Sequence, residues 1–132
     1  MAIAKKKILI LVVEDEKILV NTLEEKLLEE GFDVIKAYNG IDGFTLALSE
    51  HPNLILLDLL MPKMDGMSML KELRKDDWGK TVPVIILTNL TAGDEERNKN
   101  ITKLEPSYYF MKTEKSLEEI IEKIKEILNI TN

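Results

Sequence analysis

Five polar side chains with complementary chemistry each follow a short apolar run of the sequence: Glu14, Asp15, Asp58, Thr88 and Lys112. Three carboxylates, a hydroxyl and an ammonium group could together bind a divalent cation and a phosphoryl group. An oxygen-only ligand set suits Mg²⁺, which takes one or two carboxylates together with phosphate oxygens and water. A carboxylate can also act as the nucleophile and form an aspartyl phosphate. These residue types therefore point to phosphoryl chemistry, provided that the fold brings them together.

The charge of such a cluster requires a counterion. Three carboxylates in one small space repel one another, and a single lysine leaves a local charge of about −2. Either the carboxylates take up protons or a divalent cation neutralises them. Each residue alone has an ordinary structural explanation, because an Asp after a strand is most often a turn former or a helix cap. The presence of the set at the ends of four predicted strands favours a functional site.

The elements that must position these residues alternate along the chain. The continuous or alternating apolar runs predict strands at Ile8–Val13, Asp33–Ala37, Leu54–Leu57, Val84–Leu87 and Tyr108–Met111. Segments of helical period predict helices at Lys17–Glu30, Ile41–Glu50, about Ser68–Lys75, Asp94–Leu104, and a last helix after a capping box of Ser116 and Glu119. This alternation predicts a doubly wound α/β fold.

The expected sheet has five parallel strands in the order 2-1-3-4-5, with helices on both faces. Ligands of such open sheets bind beyond the carboxyl ends of the strands, where the strand order reverses. Strands one and three flank that point, and they end at Glu14, Asp15 and Asp58. The three carboxylates are therefore predicted to meet at one rim of the sheet.

Composition narrows the possible functions. The 132 residues are the length of one ordinary domain, so we expect a single domain over residues 1–132. Eighteen Lys and Arg against 24 Asp and Glu give a net charge of −6, which argues against direct nucleic-acid binding and against an anionic membrane as partner.

The chain has no Cys, which excludes disulfides and thiolate catalysis. The apolar run at Ile8–Val13 is too short for a signal peptide or membrane span, so a cytoplasmic protein is expected.

Four segments of the chain carry a resemblance to a known family: Val12 to Glu16, Leu54 to Gly66, Ile85 to Thr88 and Tyr109 to Lys112. With these segments, the sequence resembles the receiver domain of two-component response regulators, the group that includes the single-domain chemotaxis regulators. The likeness spans essentially the whole chain, and the stretch from Asp58 to Gly66 is its most specific part. It implies a signalling switch of the flavodoxin-like fold that catalyses only its own phosphorylation and dephosphorylation.

The resemblance implies a role for each carboxylate. Asp58 would be the phosphoacceptor, taking a phosphoryl group from a histidine kinase or a histidine phosphotransfer protein. Glu14, Asp15 and Asp58 would hold Mg²⁺ together with the backbone carbonyl of Leu60.

The resemblance also implies how the signal leaves the site. Thr88 and Lys112 would contact the phosphoryl oxygens, and Tyr109 occupies the position of the family's switch aromatic. An unknown downstream protein would then bind the face made by the predicted helix Asp94–Leu104, the strand Tyr108–Met111 and the last helix.

Two positions depart from the usual pattern of the family. Thr113 follows Lys112 where the family usually has a Pro in a cis peptide, and a cis bond before a residue other than Pro costs about 2.5–4 kcal/mol. Asn89 follows Thr88 where a small residue is usual. These departures leave open a degenerate receiver that acts only as a binding scaffold.

Two functions from other classes also remain as alternatives. A phosphatase of the haloacid dehalogenase type also forms an aspartyl phosphate, but its pattern needs a second Asp two residues after the nucleophile, where Leu60 stands. A flavodoxin-like flavin carrier needs Ser, Thr and Gly after strand one to bind phosphate. The run Glu14 to Glu16 would repel phosphate unless a metal were bound.

Overall fold

The computed structural model describes residues 7–59, 61, 64–88, 108–111 and 117–130. Its centre is a five-stranded parallel sheet in the order β2-β1-β3-β4-β5, which confirms the predicted topology. The strands are β1 (Leu9–Val13), β2 (Asp33–Ala37), β3 (Leu54–Asp58), β4 (Val84–Thr88) and β5 (Tyr108–Met111). Each observed strand lies within one residue of its predicted bounds.

Helices follow three of the strands directly in the described residues: α1 (Lys17–Glu29), α2 (Gly40–Glu50) and α3 (Gly66–Leu73). A further helix, α4 (Leu117–Ile127), follows β5 in the chain and corresponds to the predicted last helix. The predicted helix Asp94–Leu104 and Ser116 of the predicted capping box lie outside the described residues. Within the part of the chain that the structure describes, no helix has the length and apolar character needed to cross a membrane.

The sheet is buried on both faces because alternate side chains of its strands point to opposite sides. One apolar cluster contains Leu11, Val13 and Leu57 with side chains of α2 and α3. The other contains Val12 and Leu56 with side chains of α1 and α4. This arrangement leaves the carboxyl ends of the strands as the rim at which polar side chains can gather.

The start of α3 differs from the prediction and bears on the site. The sequence predicts a helix from about Ser68, with Asp65 and Gly66 in a turn, whereas α3 begins at Gly66. The Asp65 side chain accepts a hydrogen bond from the backbone N–H of Ser68 at 2.8 Å. Asp65 is therefore the N-cap of the helix, and a cap satisfies a backbone donor that would otherwise lack a partner inside the helix.

An ion pair joins the two helices on one face of the sheet. The Lys125 ammonium group on α4 donates to Glu30, the residue after α1, at 2.9 Å. This hydrogen bond, with the charge of Lys125, holds the pKa of the Glu30 carboxyl below its ordinary value of 4.5. Because folding lowers this pKa, the ion pair stabilises the fold at pH values above the ordinary pKa of 4.5. The contribution disappears as the pH falls through the lower pKa of the folded protein.

Replacing Lys125 with Met is expected to raise the pKa of Glu30 toward its ordinary value. The change removes the hydrogen bond and the nearest positive charge, while Lys26 still lowers the pKa weakly. Carbon-detected NMR titration of the Glu30 carboxyl measures the shift, and Lys71→Met on α3 is the control for loss of one surface charge. The stability difference between wild type and Lys125→Met should shrink on acidification. A difference that grows as the pH falls would contradict this account.

Candidate metal and phosphoryl site

The structure brings three predicted carboxylates together at the carboxyl ends of neighbouring strands. Glu14 and Asp15 follow β1 directly, and Asp58 is the last residue of β3. The two strands pair in parallel, with Val13 opposite Leu57, so their ends lie side by side. One carboxylate oxygen from each of Glu14, Asp15 and Asp58 lies within 4.8 Å of the other two. The expected convergence of the acidic residues is present in the fold.

The three carboxylates differ in their exposure. Glu14 is only 2% exposed and Asp58 only 3% exposed, while Asp15 is exposed to solvent. Two of the carboxylates are thus buried, and the third lies at the protein surface. Burial makes the repulsion between Glu14 and Asp58 stronger than it would be in water, because the protein interior screens charge poorly.

Backbone contacts fix the position of Glu14. Its N–H donates to the carbonyl of Ala37 on β2 at 3.0 Å, which extends the pairing of β1 by one residue beyond the strand. One of its carboxylate oxygens accepts from the backbone N–H of Glu16 at 3.0 Å. Glu16 is the N-cap residue of α1, so the start of that helix orients the Glu14 carboxylate. The sequence shows Glu16 only as another acidic residue and gives no sign of this contact.

The backbone at Asp58 is closely packed against the start of α3. Gly66 donates its N–H to the carbonyl of Leu59 at 3.1 Å. A Cβ atom at position 66 would overlap the carbonyl oxygen of Asp58 and approach the Cα of Leu59 to 2.7 Å. Only glycine allows this approach, so the Asp-Gly pair at the start of α3 both caps the helix and supports the backbone of Asp58.

The donor set fits a magnesium ion. All three groups offer carboxylate oxygens, which are the hard ligands that Mg²⁺ prefers, and no nitrogen or sulfur ligand belongs to the cluster within the described residues. The exposed position of Asp15 leaves one side of the cluster open to water and to an incoming phosphate. A divalent cation would also offset the repulsion between the two buried carboxylates.

Of the other predicted site residues, the structure describes the backbone of Thr88 and Tyr109 only. Thr88 is the last residue of β4, and its backbone pairs with Met111 of β5. Tyr109 lies on β5, with its backbone paired to Ile86. Leu60 and Lys112 lie outside the described residues, as do the two departures from the family pattern, Asn89 and Thr113. The proposed roles of these residues therefore stay predictions.

Comparison with known proteins identifies the family. Residues 10–125 match the family described as the response regulator receiver domain. Over 82 residues, 62% of this chain, the sequence is 45% identical to the "Probable transcriptional regulator ycf27" of Porphyridium aerugineum. That match covers 33% of the relative, so the chain spans about a third of the length of the curated relatives it matches.

Solved structures agree with this match. A CheY-like response regulator receiver domain protein from Methanospirillum hungatei superposes with a TM-score of 0.86 at 26% identity, covering 94% of this chain and 95% of the other. The receiver domain of a sensor histidine kinase from Pseudomonas aeruginosa superposes with a TM-score of 0.80 at 25% identity, covering 92% and 97%. That structure has a magnesium ion coordinated in its active site cleft. This chain belongs to the response regulator receiver domain family, a family of phosphorylation-activated signalling domains.

Proposed function

We propose that this protein accepts a phosphoryl group on Asp58 in a reaction that depends on Mg²⁺, and that residues 1–132 act as one receiver domain. The observation that carries the proposal is the convergence of Glu14, Asp15 and Asp58 within 4.8 Å at one end of the sheet. Family membership supports this chemistry over that of a dehalogenase-type phosphatase or a flavin carrier. The protein would modify only itself and release no external product apart from phosphate.

The proposed reaction is an in-line transfer from a phosphohistidine of a partner protein. A carboxylate oxygen of Asp58 forms a bond to phosphorus while the bond from phosphorus to the histidine nitrogen breaks, and that nitrogen keeps the electron pair. Bound Mg²⁺ would supply positive charge to the transferring oxygens. Later attack by water on the aspartyl phosphate would release inorganic phosphate and restore the carboxylate. The signal would therefore have a limited lifetime.

The residues of this chain would bind the metal, position the nucleophile and supply positive charge. We propose that Glu14, Asp15 and Asp58 hold the metal together with the backbone carbonyl of Leu60. The close packing of Gly66 against the main-chain carbonyl of Asp58 would hold the backbone that carries the nucleophile. Positioning and electrostatic stabilisation together make up most of catalysis in phosphoryl transfer. Lys112 would contribute a further positive charge on the phosphoryl oxygens.

The proposed partners follow from this chemistry. A histidine kinase or a histidine phosphotransfer protein would supply the phosphoryl group. A cytoplasmic location fits this partner, because a kinase takes its phosphoryl group from ATP. The net charge of −6 disfavours direct binding to nucleic acid. Output would instead pass to a protein that binds the face formed by residues 94–104, β5 and α4.

The direct experiment is the intact mass of the wild-type protein after incubation with acetyl phosphate. The proposal predicts the addition of one phosphoryl group when Mg²⁺ is present and none when it is removed by chelation. A degenerate receiver that serves only as a scaffold would show no addition under either condition. Addition that is independent of Mg²⁺ would argue against the metal site.

Replacing Thr88 with Ala is expected to separate phosphorylation from output. The Thr88 hydroxyl is proposed to bind the phosphoryl oxygens, and a charge-assisted hydrogen bond is stronger than a neutral one. Its movement would allow Tyr109 on the paired strand to follow, which would change the output face. The variant should therefore still accept a phosphoryl group at Asp58 but respond weakly at Tyr109 and over residues 94–104.

Amide hydrogen exchange with and without beryllofluoride, a phosphoryl mimic, measures this response. Wild type should show altered protection over Asp94–Leu104 when the mimic is bound, and Thr88→Ala should show much less. Equal changes in both proteins, or none in either, would mean that this hydroxyl does not carry the signal.

A further inference from the structure

Two glycines at the start of α2 pack closely against other parts of the chain, Gly40 against backbone and Gly43 against side chains. A Cβ atom built at Gly40 would overlap the backbone carbonyl of Met64, in the segment between Asp58 and α3. A Cβ atom at Gly43, one turn further, would meet the two methyl groups of Val13 at 2.8 and 2.9 Å. Val13 directly precedes Glu14, and Met64 stands two residues before Gly66, which packs against the backbone of Asp58.

The two glycine contacts differ in kind. At Gly40 the obstacle is the main chain of Met64, which cannot rotate aside as a side chain can. At Gly43 the obstacles are the side-chain methyl groups of Val13 and the sulfur of Met69, which lies 3.1 Å from the position that such a Cβ would take and can shift by rotation. An added methyl group at position 40 therefore displaces backbone, while one at position 43 mainly crowds the core.

The first turn of α2 is itself held firmly. Asn39, only 8% exposed, is the N-cap of the helix. Its side-chain oxygen accepts from the backbone N–H of Asp42 at 2.9 Å, and its amide donates to the Asp42 carboxylate at 2.9 Å. These reciprocal bonds fix the point from which Gly40 faces Met64, which belongs to the stretch from Asp58 to Gly66 that we call the acceptor segment.

We propose that Gly40 is a positioning residue for the metal and phosphoryl site. It acts by letting the first turn of α2 lie flush against the backbone of Met64. Met64 stands two residues before Gly66, which itself packs against the main chain of Asp58 and Leu59, so a displacement at Met64 would reach the backbone of the acceptor. The inference rests on the proposed function for its chemical consequence. The contact between α2 and the acceptor segment is independent of that function.

The test compares Gly40→Ala with Gly43→Ala in the same helix. Alanine is the better helix former, so helix propensity alone predicts that neither change harms the protein. We expect Gly40→Ala to weaken Mg²⁺ binding by about 10- to 100-fold, the range typical when a residue that supports metal ligands is altered. Gly43→Ala should bind Mg²⁺ close to the wild-type affinity, even where its melting temperature changes. Isothermal titration calorimetry with MgCl₂ measures both affinities on protein that carries no phosphoryl group.

Hydrogen exchange at Gly66 gives a second measurement that needs neither metal nor phosphate. The Gly66 N–H donates to Leu59 within the acceptor segment, so displacement of that segment should speed its exchange. Faster exchange at Gly66 in Gly40→Ala, with unchanged exchange in β1, supports the proposal. Unchanged Mg²⁺ affinity and unchanged exchange in Gly40→Ala would overturn it, and so would an equal loss of affinity in Gly43→Ala.

A milder pair of variants covers the case in which Gly40→Ala does not fold. Asn39→Ala removes the cap without adding bulk and should speed exchange at Gly66, whereas Asn39→Ser keeps a capping oxygen and should restore the wild-type rate. The same exchange rate in all three proteins would overturn the proposal. If wild type fails to take up a phosphoryl group while the glycine and cap variants behave as expected, the proposed function fails and the positioning role of Gly40 stands.

Discussion

Asp58→Asn is expected to abolish phosphorylation by acetyl phosphate. The amide is a poor nucleophile and a weaker metal ligand than the carboxylate, so both the bond-forming atom and part of the proposed metal site are lost. The labelling rate should fall on the order of a thousandfold or more, as expected when a nucleophile is removed. Intact mass spectrometry over a time course measures the rate. The fold should persist because Asn is nearly the same size as Asp and removes charge from a crowded, buried cluster.

Asp65→Asn is the matched control for this variant. Asp65 lies in the same segment and carries the same carboxylate, but its side chain caps α3 and is exposed. Its amide oxygen in the variant can still accept from Ser68, so the helix should be preserved. Phosphorylation of Asp65→Asn at the wild-type rate is expected. Full labelling of Asp58→Asn, or loss of labelling in both variants, would show that Asp58 is not the specific acceptor.

Glu14→Gln is expected to remove most of the stabilisation that Mg²⁺ gives the wild-type fold. Magnesium at about a hundred times its dissociation constant stabilises the folded state by about 2.7 kcal/mol. A hundredfold loss of affinity would leave about 0.4 kcal/mol at the same concentration. The Gln oxygen can still accept from the N–H of Glu16, so the orientation of the side chain is kept. Thermal or urea unfolding with and without MgCl₂ measures both values.

The same substitution should stabilise the protein when Mg²⁺ is absent. Removing one charge relieves the repulsion between Glu14 and Asp58, both of which are buried. Glu25→Gln, on the exposed side of α1, removes the same net charge at a residue outside the cluster of Glu14, Asp15 and Asp58 and should keep the full Mg²⁺ response. A full Mg²⁺ response in Glu14→Gln would remove this residue from the proposed metal site.

The sheet is predictable from the sequence because most of its strands are short, strongly apolar runs that alternate with segments of helical period. Buried strands such as Leu54–Asp58 have no polar face, so their pattern indicates a parallel sheet covered on both sides. The order of the strands then follows from the common doubly wound topology, and it places Glu14 and Asp58 together. The family assignment, predicted from the segment around Asp58, is confirmed by the match over residues 10–125.

Contacts between distant backbone segments cannot be predicted in the same way. The approach of Gly40 to Met64 depends on how α2 lies across the sheet, and a lone glycine gives no information on its neighbour. The stacking of His51 on Trp78, with ring centroids 4.3 Å apart, is equally invisible in the sequence. The helix α3 begins at Gly66, two residues earlier than predicted. The predicted start is late because an Asp-Gly pair is a common turn signal, and the sequence alone does not show that Asp65 caps a helix here.

The identity of the phosphorylated atom tests the central claim most directly. Borohydride reduces an aspartyl phosphate to homoserine, which marks the acceptor permanently. Wild-type protein treated with acetyl phosphate and Mg²⁺, then reduced, digested and sequenced by mass spectrometry, should contain homoserine at position 58 and at no other aspartate. Homoserine at Asp15 or Asp65, or none at any position while Mg²⁺ binds normally, would contradict the assignment of Asp58 as the phosphoacceptor.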